Sequence, residues 1–318
     1  MKNGTWNREV LYHRHHLSHQ QIDDFLREKK SGNYPQLKGQ LLGKVNDFLE
    51  VSRLLSNAGV RFIPLKGPLL SYRIYGDLSY RYFSDLDMLM DRQELKRGMQ
   101  ILKEEGYLPQ LYEWPSNIKK EQRLIARDNQ FLLHHPEKNL GVELHWRPFK
   151  YEIASTNVIR DIINENTVSV KYTGLEFSAF NKELELLYLI IHGGLHAWMW
   201  LKWLIDIKDF LAVSPPDPDK FTDLADKLNA GRMVALCNAM LRKQFPDASL
   251  LPQKEDVHKK LIHTALREVN ASNEMKRGII SRFRFSYGFR SKCFPGYAYR
   301  KSVIRYILYR PNKNYNKN

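Results

Sequence analysis

The sequence predicts an α/β region, an α+β arrangement on a mixed sheet, followed by an all-α region, with the change near residue 182. Three observations carry this. Up to Phe180 the apolar residues come in short runs that alternate or break at turn residues, as strands interleaved with helices require. From Lys182 onward they come in long segments at helical spacing. The composition, 43% hydrophobic and 12% aromatic, can fill a core in a chain of 318 residues. The boundaries read as a helical extension over 1–37, the α/β domain over 38–182 and a helical domain over 183–318, with no internal repeat.

The elements follow in order. Residues 1–37 are polar and carry His13, His15, His16 and His19. Such a group can bind a metal, but nothing fixes its geometry, and exposed, solvated histidines are the expectation. Leu41, Val45, Phe48, Leu49, Val51 and Leu55 form a stripe that predicts a helix over Leu37–Asn57, closed by Ala58-Gly59. Val60–Leu65 reads as a strand and Lys66-Gly67-Pro68 as a turn, followed by a helix over Leu69–Tyr75 with Pro68 in its first turn. Tyr82–Met90 alternates as a strand, and Glu94–Gly106 is a helix. Gln130–His134 and Val142–Trp146 pair as a hairpin across Pro136-Glu137-Lys138-Asn139, and Val168–Tyr172 pairs with Leu175–Phe180 around Gly174. Helices then cover Glu183–His196, Leu201–Ala212, Phe221–Leu228, Arg232–Arg242 and Val257–Val269, with a break at Pro215-Pro216-Asp217-Pro218.

Several classes are excluded. Two distant cysteines, Cys237 and Cys293, make no disulfide framework. Met1–Glu9 has no apolar run of the kind a signal peptide needs. The longest uncharged stretch, Leu186–Leu201, is 16 residues, short of the roughly 20 a bilayer span requires, and reads as buried helix. A cytoplasmic protein without a transmembrane span is the expectation. The formal charge of +15 is concentrated in residues 276–318, which hold 12 Lys or Arg, ten aromatics and no acid.

The chemistry sits in acids. Asp85 and Asp87 are two apart on a strand, so both side chains leave the same face. Paired hard oxygen ligands suit Mg²⁺, which favours carboxylates, waters and substrate phosphates. Leu86, Met88, Leu89 and Met90 bury the strand around them. Glu143 stands in a second buried strand, Val142-Glu143-Leu144-His145-Trp146, where it shares a face with His145. A third acid on a neighbouring strand completes a centre able to hold two metal ions. Upstream, Gly67 lets backbone approach a phosphate, the following helix offers unpaired N–H groups and Lys66 adds positive charge.

The order of these motifs resembles the bacterial uncharacterised nucleotidyltransferase family of the DNA polymerase β-like superfamily. The resemblance runs through Ile63-Pro64-Leu65-Lys66-Gly67, Tyr75-Gly76-Asp77, Arg81 and Ser84-Asp85-Leu86-Asp87-Met88-Leu89. It continues through Glu143-Leu144-His145-Trp146, His192, His196, Trp200 and Leu204-Ile205-Asp206, with looser similarity at Tyr309-Arg310-Pro311. It implies a nucleotidyltransferase fold over 38–182 in which Asp85, Asp87 and Glu143 are the catalytic and metal-binding acids of a two-Mg²⁺ site. The implied reaction moves a nucleoside monophosphate from a nucleoside triphosphate to a hydroxyl or phosphate of a small or carrier-bound acceptor, releasing pyrophosphate. Lys66, Gly67, Arg81, Ser84, His145, His192, His196 and Asp206 are the further residues expected at the nucleotide. The superfamily's usual Gly-Ser turn is replaced by Lys66-Gly67, which would give Lys66 part of the task of holding the β and γ phosphates.

Some alternatives stay open at this level. Arg81 can grip a phosphate bidentately or form a salt bridge to Asp77 or Asp85. His192 and His196, four apart on a helix, can ligate zinc, but without an evident third ligand they read as core or substrate-lining residues. Trp200 and Trp203 can stack on a base or pack in the core. The basic, aromatic tail suits an inward-packed terminal helix, an anionic membrane surface, a nucleic acid or an anionic acceptor. A rival reading of the whole chain follows: a catalytically silent binding module that holds nucleic acid or a membrane surface through that tail. Steep loss of polyanion binding with salt would mark such a module.

Overall fold

The computed structural model of the chain describes residues 6–28, 35–172, 174–271 and 285–308. The main sheet has five strands, β1 (Phe62–Leu65), β2 (Asp85–Met90), β3 (Leu108–Pro109), β4 (Gln130–His135) and β5 (Leu140–His145), in the order β1-β2-β5-β4-β3. A separate hairpin pairs β6 (Thr167–Tyr172) with β7 (Leu175–Phe180). The helices that precede the helical region in the chain are α1 (His19–Leu26), α2 (Pro35–Asn57), α3 (Gly67–Tyr75), α4 (Leu95–Glu104), α5 (Ile118–Arg127) and α6 (Thr156–Glu165). The helical region contains α7 (Lys182–Leu195), α8 (Leu201–Val213), α9 (Pro218–Lys227), α10 (Gly231–Gln244), α11 (Lys259–Val269) and α12 (Tyr297–Leu308). The mixed-sheet region followed by helices is therefore present as expected. β2 runs parallel to β5, and the other neighbouring pairs are antiparallel. The strands expected from Val60 and Tyr82 begin later, at Phe62 and Asp85.

Strand alternation divides the labour of the two faces. Leu86, Met88 and Met90 of β2 and Val142 and Leu144 of β5 share a core with Val45, Phe48 and Val51 of α2 and with Met99 and Leu102 of α4. Asp85, Asp87, Glu143 and His145 are thereby left on the other face. There Leu65, Leu89, Leu70 and Ile74 belong to a second core that runs into α7, α8, α9, α10 and α11. The packing of α7 on α10 is close: a Cβ on Gly194 would lie 2.0 Å from Met233 Sδ. The uncharged stretch Leu186–Leu201 is not one helix. α7 ends at Leu195, and Ala197 and Trp198 take left-handed φ values of 53° and 46° before α8 starts. No helix among the described residues is long and apolar enough to cross a membrane.

The N-terminal segment corrects one expectation. Leu11, Leu17 and Ile22 are buried in the helical core, and Ser18 and Gln21 form a reciprocal capping box at the start of α1. The histidines are drawn in with them, so of that group only His13 is exposed. His15 is 0% exposed, and its Nδ1 accepts the backbone N–H of Leu201 at 3.0 Å. Burial, with Arg14 and His16 beside it, pushes this imidazole down to about 3. An unfolded histidine titrates near 6.5, so below that pH the unfolded chain gains a proton the folded chain does not. The stability carried by neutral His15 is complete above 6.5 and is lost as pH falls toward 3. We expect urea unfolding to lose up to roughly 1.4 kcal/mol per pH unit from this group between about pH 6 and 4. His15→Gln should flatten that slope; an unchanged slope would assign the acid sensitivity elsewhere.

In the tail, Phe285, Phe289, Phe294 and Tyr299 are buried, while Tyr297 is exposed. Arg305 is held by Glu152 at 2.8 and 3.0 Å. The described part therefore packs most of its aromatics inward. Residues 276–284 and 309–318, with Tyr309-Arg310-Pro311, lie outside the described residues.

Candidate active site

The parallel ladder between β2 and β5 sets Asp87 opposite Glu143 and Asp85 opposite Gly141. On the other side of β2, Leu65 pairs with Asp87, so the end of β1 delivers the next residue, Lys66, to the same place. Both Lys66 (φ 57°) and Gly67 (φ 54°) are left-handed. Glycine adopts this readily, but for lysine it is strained and persists only where neighbours hold it. The holding contact is visible: Lys66 Nζ lies 3.0 Å from Asp87 Oδ2. No side chain caps α3, which starts here with Pro68 in its first turn. Its first N–H groups are thus of the kind that bind anions.

Asp87 is also bound from the other side, by His145 Nε2 at 2.9 Å from Oδ1. The same nitrogen lies 3.4 Å from Glu143 Oε2, and the Asn129 amide nitrogen meets His145 Nδ1 at 3.2 Å. Burial works against an ionised Asp87, yet Lys66 and His145 outweigh it and hold the carboxyl well below the usual range. Burial, reinforced by Asp87 opposite, pushes Glu143 up. For His145, burial is again the opposing effect, and the bonds to Asp87 and Glu143 raise it to about 9. Lys66 is raised in the same way by Asp87 against its own burial.

Donor atoms of Asp87, Glu143 and His145 all lie within 4.8 Å of one another, a spacing that one divalent cation can bridge. One buried and one half-buried carboxylate, whose charge is balanced by side chains, fit such an ion. Asp85, expected as part of the same centre, stands two pairs along the ladder, opposite Gly141. It is half-buried, its Oδ1 accepts the Ser84 hydroxyl at 3.2 Å, and it lines the adjoining cavity without joining the tight donor group.

That cavity has a volume of about 930 Å³ and lies between the polar face of the sheet and the α7–α8 turn. His192 and His196 both line it. His192 Nε2 is 3.5 Å from Lys66 Nζ, and burial together with Lys66 holds His192 well below its usual pKa. Neither histidine belongs to a metal-donor group among the described residues. Trp200 and Trp203 also line the cavity, 4.6 Å apart between ring centroids, while Trp203 stacks in the core as well.

Arg81 has a partner the sequence reading did not offer. Its guanidinium forks onto both carboxylate oxygens of Asp206, each bond 2.8 Å, in a fully buried setting. Asp77 instead accepts the backbone N–H and hydroxyl of Ser79. Arg81 and Asp206, both expected at the nucleotide, are therefore joined to each other, and Arg81 still borders the cavity. Sequence reasoning missed Asn129 and Lys202. Asn129 carried no signal. Lys202 did: it is the first charge after the uncharged Leu186–Leu201 stretch, yet it is buried and faces the cavity.

A family model described as "uncharacterised nucleotidyltransferase" matches residues 10–246. No curated protein matches the chain. Among solved structures, the chain is similar to the lincosamide antibiotic adenylyltransferase LnuA with lincomycin bound. The identity is 16%, over 53% of this chain and 97% of that one, with a TM-score of 0.37.

Proposed function

From the premise that this chain belongs to the uncharacterised nucleotidyltransferase family of the polymerase β-like superfamily, we propose that it is a Mg²⁺-dependent enzyme transferring a nucleoside monophosphate from a nucleoside triphosphate to an acceptor hydroxyl or phosphate. One observation carries this reading. Register and turn geometry bring Asp87, Glu143 and the Lys66-Gly67 turn together at the wall of a cavity large enough for a nucleotide and a second molecule.

In the proposed reaction the acceptor oxygen bonds to the α-phosphorus, the bond to the pyrophosphate oxygen breaks and pyrophosphate leaves. When bound, the metal would stabilise charge on the attacking and leaving oxygens. Asp87 and Glu143 would hold it, Asp85 would offer a carboxylate to a second ion, and Glu143 would help to activate the acceptor. His145 orients Asp87 and Glu143 through its shared Nε2, and Asn129 fixes the ring. Lys66 and the open N-terminus of α3 would receive the β and γ phosphates, with Gly67 allowing close approach. Ser84, beside Asp85, would lie near the same phosphates. His192 and His196, with Trp200, would line the nucleotide or acceptor. Arg81 would act through its clamp on Asp206, setting the loop that leads into Ser84 and Asp85.

The test is thermal stability with each of the four nucleoside triphosphates, with and without Mg²⁺, in wild type and in Asp85→Asn/Asp87→Asn. A ligand at 100 times its dissociation constant adds about 2.7 kcal/mol. We expect one or more triphosphates to raise the Tm by several degrees only when Mg²⁺ is present, and the double variant not to respond. A well-folded wild type indifferent to every triphosphate would remove the reading.

A further inference from the structure

We propose that Lys202 is a phosphate seat of this cavity, separate from the Lys66-Gly67 turn. The geometry is that of a cation kept waiting for an anion. Lys202 is only 7% exposed, yet it lines the cavity. Three neighbouring cations, buried or half-buried, are each matched by a carboxylate: Lys66 by Asp87 at 3.0 Å, Arg81 by Asp206 at 2.8 Å and Arg73 by Glu185 at 2.7 Å. Lys202 forms no ion pair among the described residues. Its Nζ reaches the carbonyl oxygen of Tyr82 at 3.5 Å, the outer limit of a hydrogen bond, and lies 5.7 Å from the Tyr82 and Trp200 ring centroids.

Ring faces and one long hydrogen bond offset only part of the penalty for burying an ammonium group. A methionine would fill the same space without that penalty. A lysine held here against its own desolvation is explained by a ligand that supplies the missing charge. Burial, with Arg81 next to it, brings the amine down to about 7, so an incoming dianion would be met by a group ready to take full charge. Charge complementarity extends to the neighbouring ring, since Lys44 Nζ also lies over Tyr82, at 5.8 Å. The chemistry selects a phosphate or pyrophosphate group. Whether the triphosphate or the acceptor brings it rests on the nucleotidyltransferase reading; the existence of the seat does not.

Calorimetry on the full chain with Mg²⁺ tests this in Lys202→Met and Lys202→Arg, with Lys202→Gln in reserve should the methionine variant not fold. The probes are ATP, AMP and inorganic pyrophosphate, and then inorganic phosphate added to the ATP-saturated protein. We expect Lys202→Met to weaken ATP and pyrophosphate at least tenfold, to leave AMP within twofold, and to be largely rescued by Lys202→Arg. That pattern assigns the seat to the triphosphate. If ATP binding holds and only phosphate binding to the ATP-loaded protein is lost, the seat belongs to the acceptor. If every probe stays within twofold in a variant with wild-type Tm, the proposal is wrong. A wild type that binds no triphosphate but binds phosphate through Lys202 would sink the nucleotidyltransferase reading and leave the seat standing.

Discussion

Asp87→Asn should lower nucleotidyl transfer by a thousandfold or more while leaving a folded protein. Asp87 is where β1, the Lys66-Gly67 turn and β5 meet: it pairs across the ladders with Leu65 and with Glu143. If Asp87 holds the metal as proposed, its removal would withdraw charge stabilisation of about 4 kcal/mol from the transition state, and each 1.36 kcal/mol is roughly tenfold in rate. Asparagine keeps the shape and loses the charge, so Lys66 and His145 would lose their closest counter-charge and be left with Glu143 and the more distant Asp85. The variant should therefore also melt lower than wild type without metal. Asp85→Asn makes the discriminating comparison. Among the described residues its carboxylate accepts only the Ser84 hydroxyl, so it should lose turnover with little change in Tm. Pyrophosphate release in the presence of an acceptor reads the first effect and calorimetric unfolding the second. An Asp87→Asn protein working within tenfold of wild type would mean that the acids do not hold the catalytic metal.

The largest effect on stability should come from Arg81→Ala or Asp206→Ala. Arg81 is 2% and Asp206 0% exposed, and the two are joined by paired 2.8 Å bonds. Removing one partner strands a buried charge, which costs about 3–5 kcal/mol. For a chain of this size that is a Tm loss of roughly 10 °C. The double replacement Arg81→Met/Asp206→Leu should recover much of it, because an apolar pair of similar volume fills the space without desolvated charge. Singles as stable as wild type would show that water reaches the pair.

The acids were legible because a strand's period of two places Asp85 with Asp87, and Glu143 with His145, whatever the rest of the chain does. Their partners were less legible, because register across the sheet is a long-range fact. That Asp87 rather than Asp85 faces Glu143 is a matter of two positions in the register of the parallel ladder. Arg81 was read against its sequence neighbours Asp77 and Asp85, yet its partner lies 125 residues away on α8. Elements that bury few apolar residues went unseen: β3 is two residues long, and α5 buries only Leu124. The N-terminal histidines misled because polarity suggested solvent, while Leu11, Leu17 and Ile22, with Trp6, Tyr12, Phe25 and Leu26 packed around them, anchor the segment.

The contacts along α3 and the loop after it have one more consequence. Arg73 bonds Glu185 of α7 at 2.7 Å, Tyr75 bonds Asp209 of α8 at 2.7 Å, and Arg81 bonds Asp206. Each spans the line between the sheet-bearing half and the helical half. Recombination that replaced one half with a distant relative's would orphan these polar partners together, several of them in the protein interior. The two halves are therefore bound to a common inheritance. Variation should accumulate by single substitutions around the cavity wall that leave these three bonds intact.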